Sequence, residues 1–200
     1  IYRKSLNINT IAITGSSGKT SVKELTSFCL NKLEKTYSSE RSYNNKYGVP
    51  LSIFNTPEQS KFTVLEVGMN KTGEINSLAK LIKPSLGLIT NISYAHIKNF
   101  KNLSQIAKAK GEIIDNISTQ GNLIIDRDSK FYRYFNSKAK KKNIKVITVG
   151  FNTKSDIKII KVQNFTKYKL IKIKSYKKNY EIKIGNQLVK NVAFAIAVLE

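Results

Sequence analysis

Residues 8–13 run Ile-Asn-Thr-Ile-Ala-Ile and pass through Thr14 into a glycine-rich turn, the pattern of a strand ending abruptly. Val22, Leu25, Cys29 and Leu33 then recur at helical spacing, so a helix is predicted from about Thr20, with Cys29 in the core. Phe62 to Val67 is a short, nearly continuous apolar run, as a strand buried on both faces requires. Ile75, Leu78, Ala79 and Ile82 mark a second helix, which Pro84 stops. Leu86 to Ile92 predicts another buried strand. Leu103, Ile106, Ala107, Ile114 and Ile117 lie on one stripe of a third helix. Gly121 to Ile125 predicts a strand, residues 130–142 a lysine-rich helix, and Lys145 to Val149 a further strand.

Strands that alternate with helices imply right-handed crossovers and a parallel sheet. After Gly150 the period changes. From Ile157 to Ile184, apolar residues mostly alternate with lysines or other polar residues, which predicts two or three antiparallel strands with one wet face. The phase slips between Leu170 and Ile171, so a bulge is expected there. Val189 to Leu199 closes the pattern as an apolar helix. The expected fold is therefore α/β: a P-loop-type, mostly parallel sheet flanked by helices, with an antiparallel region near 155–184. No internal repeat or long linker interrupts it.

Composition narrows the classes. Two hundred residues suit one large domain or one and a half small ones. No apolar run approaches the roughly 20 residues that span a bilayer, and no signal peptide is read at the N-terminus, so membrane insertion is not expected. One cysteine, Cys29, excludes a disulfide framework and a cysteine metal cluster, which fits a cytoplasmic location. The net charge of +22 raises the question of a polyanionic partner. Residues 131–183 hold sixteen lysines and arginines against two acids, Asp156 and Glu181, with tyrosines such as Tyr132, Tyr168 and Tyr176 between them. A basic nucleic-acid-binding module is one reading. The whole chain is rich in Lys, Asn and Ile, however, so solvated lysines on strand faces are the preferred reading and nucleic acid is not the expected partner.

The strongest chemical signal is the turn Gly15-Ser16-Ser17-Gly18-Lys19-Thr20, followed by Ser21. Between a strand and a helix, such a loop aims backbone N–H groups at an anion, and the helix dipole adds to the attraction. Lys19 can reach β/γ-phosphates and the Thr20 hydroxyl can bind Mg²⁺. The longer eight-residue loop pattern is not met, because Ile13 stands where its first glycine belongs. In open parallel sheets ligands bind beyond the carboxyl ends of strands. The predicted strands ending at Gly15, at Glu66-Val67-Gly68, and at Asn91 shortly before His96 should share that rim. A carboxylate and an imidazole there suit Mg²⁺, although Glu66 could equally serve a structural ion pair and His96 could be a plain loop residue. Lys110 falls within the apolar stripe of the third helix while Lys108 falls outside it. Burial lowers a lysine's pKa, and a neutral amine can take up CO₂ as an anionic carbamate. The alternative is a lysine that snorkels from the stripe's edge.

These residues, in this order, resemble the central domain of the Mur ligases. The matching blocks are Thr14–Thr20, Ser42–Pro50 (SYNNKYGVP), Glu66–Ile75 (EVGMNKTGEI), Thr90–Ile97 (TNISYAHI) and Ile106–Ile113 (IAKAKGEI), with a weaker block at Gly185–Ala195. The resemblance covers about residues 8–199, and is nearest to the member type that adds D-alanyl-D-alanine to UDP-MurNAc-tripeptide. Other Mur-type ligases, the tripeptide-forming enzyme and folylpolyglutamate synthase, stand behind it.

The resemblance implies ATP-dependent amide-bond formation through an acyl phosphate, in peptidoglycan biosynthesis, by a monomer. It implies that Gly15 to Ser21 bind ATP, that Lys19 stabilises the transferring group, and that Thr20 and Glu66 hold Mg²⁺. It gives His96 and a carbamylated Lys110 to a second Mg²⁺, Asn44 and Asn45 to the substrate side, and Asn191 to adenine. Gln187 departs from the histidine often found before that asparagine, Asp126-Arg127-Asp128 departs from a usual Asn-x-Asp, and Ser42 replaces a frequent Asn. The chain is expected to be the ATPase core of a three-domain enzyme, without its UDP-binding and C-terminal domains. Such a fragment should ligate poorly if at all, and an isolated chain working at full-length rates would refute that.

Overall fold

The computed structural model describes residues 8–94 and 99–200. The parallel part opens with β1 (Asn9–Thr14), α1 (Lys19–Leu30), β2 (Thr36–Ser38), α2 (Gly48–Phe54), β3 (Phe62–Glu66), α3 (Glu74–Ile82) and β4 (Leu86–Ile89). It continues through α4 (Leu103–Lys110), a 3₁₀ segment (Gly111–Asn116), β5 (Asn122–Asp126), α5 (Tyr132–Lys140) and β6 (Lys145–Gly150). The meander β7 (Ile157–Asn164), β8 (Lys169–Lys174) and β9 (Asn179–Ile184) follows, and α6 (Val189–Leu199) ends the order.

One sheet of order β2-β3-β1-β4-β5-β6-β7-β8-β9 gathers these strands. It is parallel through β7 and antiparallel from there to β9. Strand periodicity sorts the side chains into two layers. Ile11, Ile13, Val64, Leu88 and Ile124 face α1 and α6, where Val22, Leu30 and Phe194 are buried. Ala12, Leu65, Ile89, Leu123 and Ile125 face the other layer, which α2 to α5 supply with residues such as Val49, Ile75, Ile106 and Phe135. Strands packed on both faces explain the unbroken apolar runs in the sequence.

The antiparallel part has the expected wet face: Ile171 and Ile173 are buried while Lys172 and Lys174 are exposed. β7 pairs with β6 only at Val149↔Ile157 and Gly150↔Lys158, so the meander runs on past the carboxyl end of β6. The bulge lies elsewhere than expected. The register shift falls between Ile159 and Lys161 of β7, leaving Ile160 exposed, while β8 pairs regularly with β9 through Leu170 and Ile171. The two apolar neighbours in β8 simply face opposite sides.

Three further boundaries differ from the sequence pattern. The buried residues of α1 are Val22, Lys23, Thr26 and Leu30, so Cys29 is only half-buried and Leu33, past the helix end, is exposed. β4 stops at Ile89, although the Thr90 amide still donates to the Thr14 carbonyl. The third apolar stripe holds to Ile117, but its α-helix tightens to 3₁₀ at Gly111. α3 ends as Pro84 requires, with Lys83 in the left-handed region before it.

Candidate functional site

The sheet order reverses at β1. The chain leaves β1 toward β2 on one side, whereas it leaves β4 toward β5 on the other. Such a switch point opens a crevice at the carboxyl ends of the strands. Register sets its walls: Ile13 lies beside Glu66 and Thr14 beside Ile89, so the ends of β1, β3 and β4 share one rim.

The loop between β1 and α1 crosses that crevice and is tied to the segment after β4. The Ser16 amide donates to the Asn91 carbonyl at 3.0 Å, and the Ser17 amide to Asn91 Oδ1 at 2.9 Å. Asn91 Nδ2 donates back to Ser17 Oγ, and the Thr90 hydroxyl to the Ser17 carbonyl at 2.6 Å. The close fit explains the glycines. Gly15 has φ +152, and a Cβ there would lie 1.8 Å from Thr90 Oγ1. Gly18 has φ +79 and would meet Asn191 Oδ1 at 2.8 Å. Sequence spacing found the loop but not this bracing, in which Thr90 and Asn91 hold Ser16 and Ser17 in place.

Lys19 curls back, its Nζ donating to the Gly15 carbonyl at 3.1 Å. At the next residue, the Thr20 hydroxyl donates to Glu66 Oε2 at 2.7 Å. Asn44 Nδ2 donates to Glu66 Oε1, also at 2.7 Å. Glu66 is therefore a carboxylate 1% exposed, held by two neutral donors and by no cation among the described residues. A buried carboxylate that no described cation meets is costly to ionise unless a cation joins it. Two hard oxygen donors beside a phosphate loop match the way Mg²⁺ is usually held, by one or two protein oxygens together with nucleotide phosphates. Among the described residues no group of three or more His, Cys, Asp or Glu side chains offers an alternative metal cage.

Beyond Lys19 opens a cavity of about 700 Å³, lined among others by Asn44, Asn45, Lys46, Lys71 and Lys110. Lys110 is 2% exposed, and burial, then the charge of Lys19, brings its ammonium down to about 7. The snorkelling alternative is thereby set aside: the amine is inside, and it opens on the same cavity as Lys19. Glu112, two residues on, accepts from the Gly73 and Asn76 amides and so fixes the start of α3, which forms the cavity's far wall. Asn45 is partly engaged already. Its Oδ1 accepts from the Tyr47 and Gly48 amides and its carbonyl from Val49, which makes it the cap of the turn entering α2.

A second cavity of about 370 Å³ lies on the other side of the loop, between Ser17, Asn91, Asp126, Phe151 and Asn191. Asn191 is 5% exposed and backs directly onto Gly18. Asp126 and Asp128 both bind Lys190, at 2.8 and 2.9 Å. Burial acts to raise the Asp128 carboxyl, but the Lys190 hydrogen bond and the Phe151 and Asn152 amides hold it below its usual value. Gln187 is exposed. The structure thus brings Gly15 to Thr20, Glu66, Asn44, Lys110 and Asn191 together around one loop. Ser21 begins the exposed side of α1. His96 lies outside the described residues. Among the described residues no helix is long and apolar enough to cross a membrane.

A family model described as Mur ligase middle domain matches residues 13–199. The UDP-N-acetylmuramoyl-tripeptide--D-alanyl-D-alanine ligase of Buchnera aphidicola subsp. Baizongia pistaciae (strain Bp) is 36% identical over 197 residues, spanning 98% of this chain and 42% of the relative. The chain therefore spans less than half the length of the curated relatives it matches along its whole extent. A crystal structure of MurF from Acinetobacter baumannii superposes with a TM-score of 0.92 at 26% identity, covering 98% of this chain and 44% of that one. The Thermotoga maritima MurF ligase in complex with ADP has the same fold, with a TM-score of 0.86 at 21% identity over 99% of this chain and 47% of its own.

Proposed function

The chain belongs to the Mur ligase family, as its middle domain, and from that premise we propose that it is the ATP-handling core of a longer ligase that joins D-alanyl-D-alanine to UDP-MurNAc-tripeptide. The observation that carries this reading is the meeting of the phosphate loop, the Thr20–Glu66–Asn44 cluster and the buried Lys110 beside one cavity. The relative named for this reaction supplies the substrates.

The segment Gly15 to Ser21 receives the phosphates of ATP at the start of α1, through the amides that Asn91 does not engage. Lys19 exchanges its bond to the Gly15 carbonyl for the β/γ-phosphates and stabilises charge on the group in transfer. Thr20 and Glu66 would hold Mg²⁺, which would supply charge neutralisation to the phosphates. The carboxylate of the tripeptide attacks the γ-phosphorus and ADP departs. The amine of D-alanyl-D-alanine then attacks the acyl carbon, phosphate leaves, and the nitrogen loses a proton. Lys110, its neutral amine having added CO₂ and released a proton, and His96 would hold a second Mg²⁺, which would supply further charge neutralisation to the reaction. Asn44 and Asn45 border the acceptor, and Asn191 contacts adenine from the smaller cavity. The cationic lining of Lys19, Lys46 and Lys71 favours anionic substrates. We place the enzyme in the cytoplasm, as a monomer.

The test is ADP release by the complete protein. It is expected to require both UDP-MurNAc-tripeptide and D-alanyl-D-alanine, and Lys19→Ala should lower kcat by at least about 100-fold. Release that proceeds equally without the dipeptide, or that Lys19→Ala leaves intact, would contradict the assignment.

A further inference from the structure

Lys23 is 0% exposed, and nothing in the chemistry above uses it. A buried ammonium is held only where its donors are met. Here three acceptors meet it: the Ser39 carbonyl at 2.5 Å, the Arg41 carbonyl at 2.7 Å and Glu24 Oε1 at 2.9 Å. The two carbonyls belong to the turn after β2, where Arg41 sits at φ +43, a conformation that costs energy for a side chain with a Cβ. Three residues further on, Asn44 donates to Glu66 Oε1, and its own carbonyl accepts from the Gly68 amide at 2.7 Å. The circuit closes through Glu66 and Thr20 back to α1, one turn before Lys23.

We propose that Lys23 is a positioning residue of the nucleotide site: it clamps the 39–41 turn to α1 so that Asn44 fixes the orientation of the Glu66 carboxylate. One helix thus presents Thr20 directly to Glu66, and, through Lys23 and the turn, presents Asn44 to the other oxygen of the same carboxylate. A carboxylate gripped at both oxygens is preorganised, and outer hydrogen-bond partners of a metal-binding carboxylate commonly matter 10- to 100-fold in metal affinity. The inference rests on the reading of Glu66 as an Mg²⁺ ligand but not on the identity of the acceptor substrates.

The experiment uses the complete protein with Lys23→Met, Asn44→Ala and both together, and reads ATP affinity by calorimetry over a series of Mg²⁺ concentrations. Lys23→Met is expected to raise the half-saturating Mg²⁺ about tenfold. Asn44→Ala should do the same, and the double variant should be no worse than Asn44→Ala, since the two act in series. A loss of folded protein would reduce the bound amount without moving that midpoint. Hydrogen exchange without metal gives an independent readout: in Lys23→Met the Gly68 amide should exchange faster while the core of β1 does not change. If Lys23→Met does not fold, Lys23→Arg takes its place, with a smaller shift of about threefold in the same direction. An unchanged Mg²⁺ midpoint, or fully additive effects of Lys23 and Asn44, would overturn the proposal. Failure of the ligase reading would show separately, as normal Mg²⁺-dependent ATP binding without D-alanyl-D-alanine-dependent turnover.

Discussion

Lys110, the last residue of α4, is 2% exposed. Its place in an apolar stripe already implied burial, and the structure adds the reason its charge is unwelcome: near-complete burial and a neighbouring Lys19. Its pKa falls from 10.5 to about 7, so between those values the unfolded chain holds a proton that the folded one has released. Stability at this position therefore rises with pH across that window, and the full penalty applies below pH 7. In CO₂-free buffer, Lys110→Met is expected to gain on the order of a few kcal/mol near pH 6, a gain that shrinks toward pH 10. Denaturant titrations at the two pH values measure it. In ¹³C-bicarbonate the wild type should take up a carbamate signal that grows as pH rises through about 7 and is missing from Lys110→Ala. A pH-independent stability difference together with an unlabelled lysine would remove Lys110 from the site. Lys23 shows the opposite case. A lysine among Val22, Thr26 and Leu30 reads as the polar side of a helix until the Ser39 and Arg41 carbonyls are seen to receive it. Those partners are backbone atoms of a turn, and backbone atoms leave no trace in composition.

At the scale of elements, long apolar runs were legible and short connections were not. β1, β3, β5 and α6 appear where their patterns predict them, because each is buried on both sides or nearly all round. β2 and α2 were missed. Thr36–Ser38 is a three-residue edge strand with little to bury, and Gly48–Phe54 begins with glycine and holds Pro50, poor signals for a helix. What starts α2 is Asn45, whose side chain meets the Tyr47 and Gly48 amides. Asn45→Ala is accordingly expected to cost about 1 kcal/mol of stability in addition to any effect on turnover. Asn45→Asp, which keeps the cap oxygen, should restore most of the stability. Thermal unfolding of the two variants separates capping from chemistry, and equal losses in both would argue against the cap.

At the scale of the whole molecule, the alternation of strands and helices sufficed for the α/β class and for the shared rim of β1, β3 and β4. The sheet order was not legible, because periodicity says which residues are buried but not which strands are neighbours. The order places the switch point at β1 and β4, and that is what turns a Gly-rich loop into a cradle backed by Asn91. The charge of +22 resolves partly into local detail: lysines alternate outward along the meander, and others line the larger cavity beside the loop. The central claim is that this cradle delivers a phosphoryl group from ATP to a carboxylate. The most direct measurement follows oxygen in the complete protein, with ¹⁸O in the terminal carboxylate of the UDP-MurNAc-tripeptide. Transfer through an acyl phosphate predicts one ¹⁸O in each phosphate released, with ADP as the other product. Unlabelled phosphate, or AMP and pyrophosphate in place of ADP, would contradict the account.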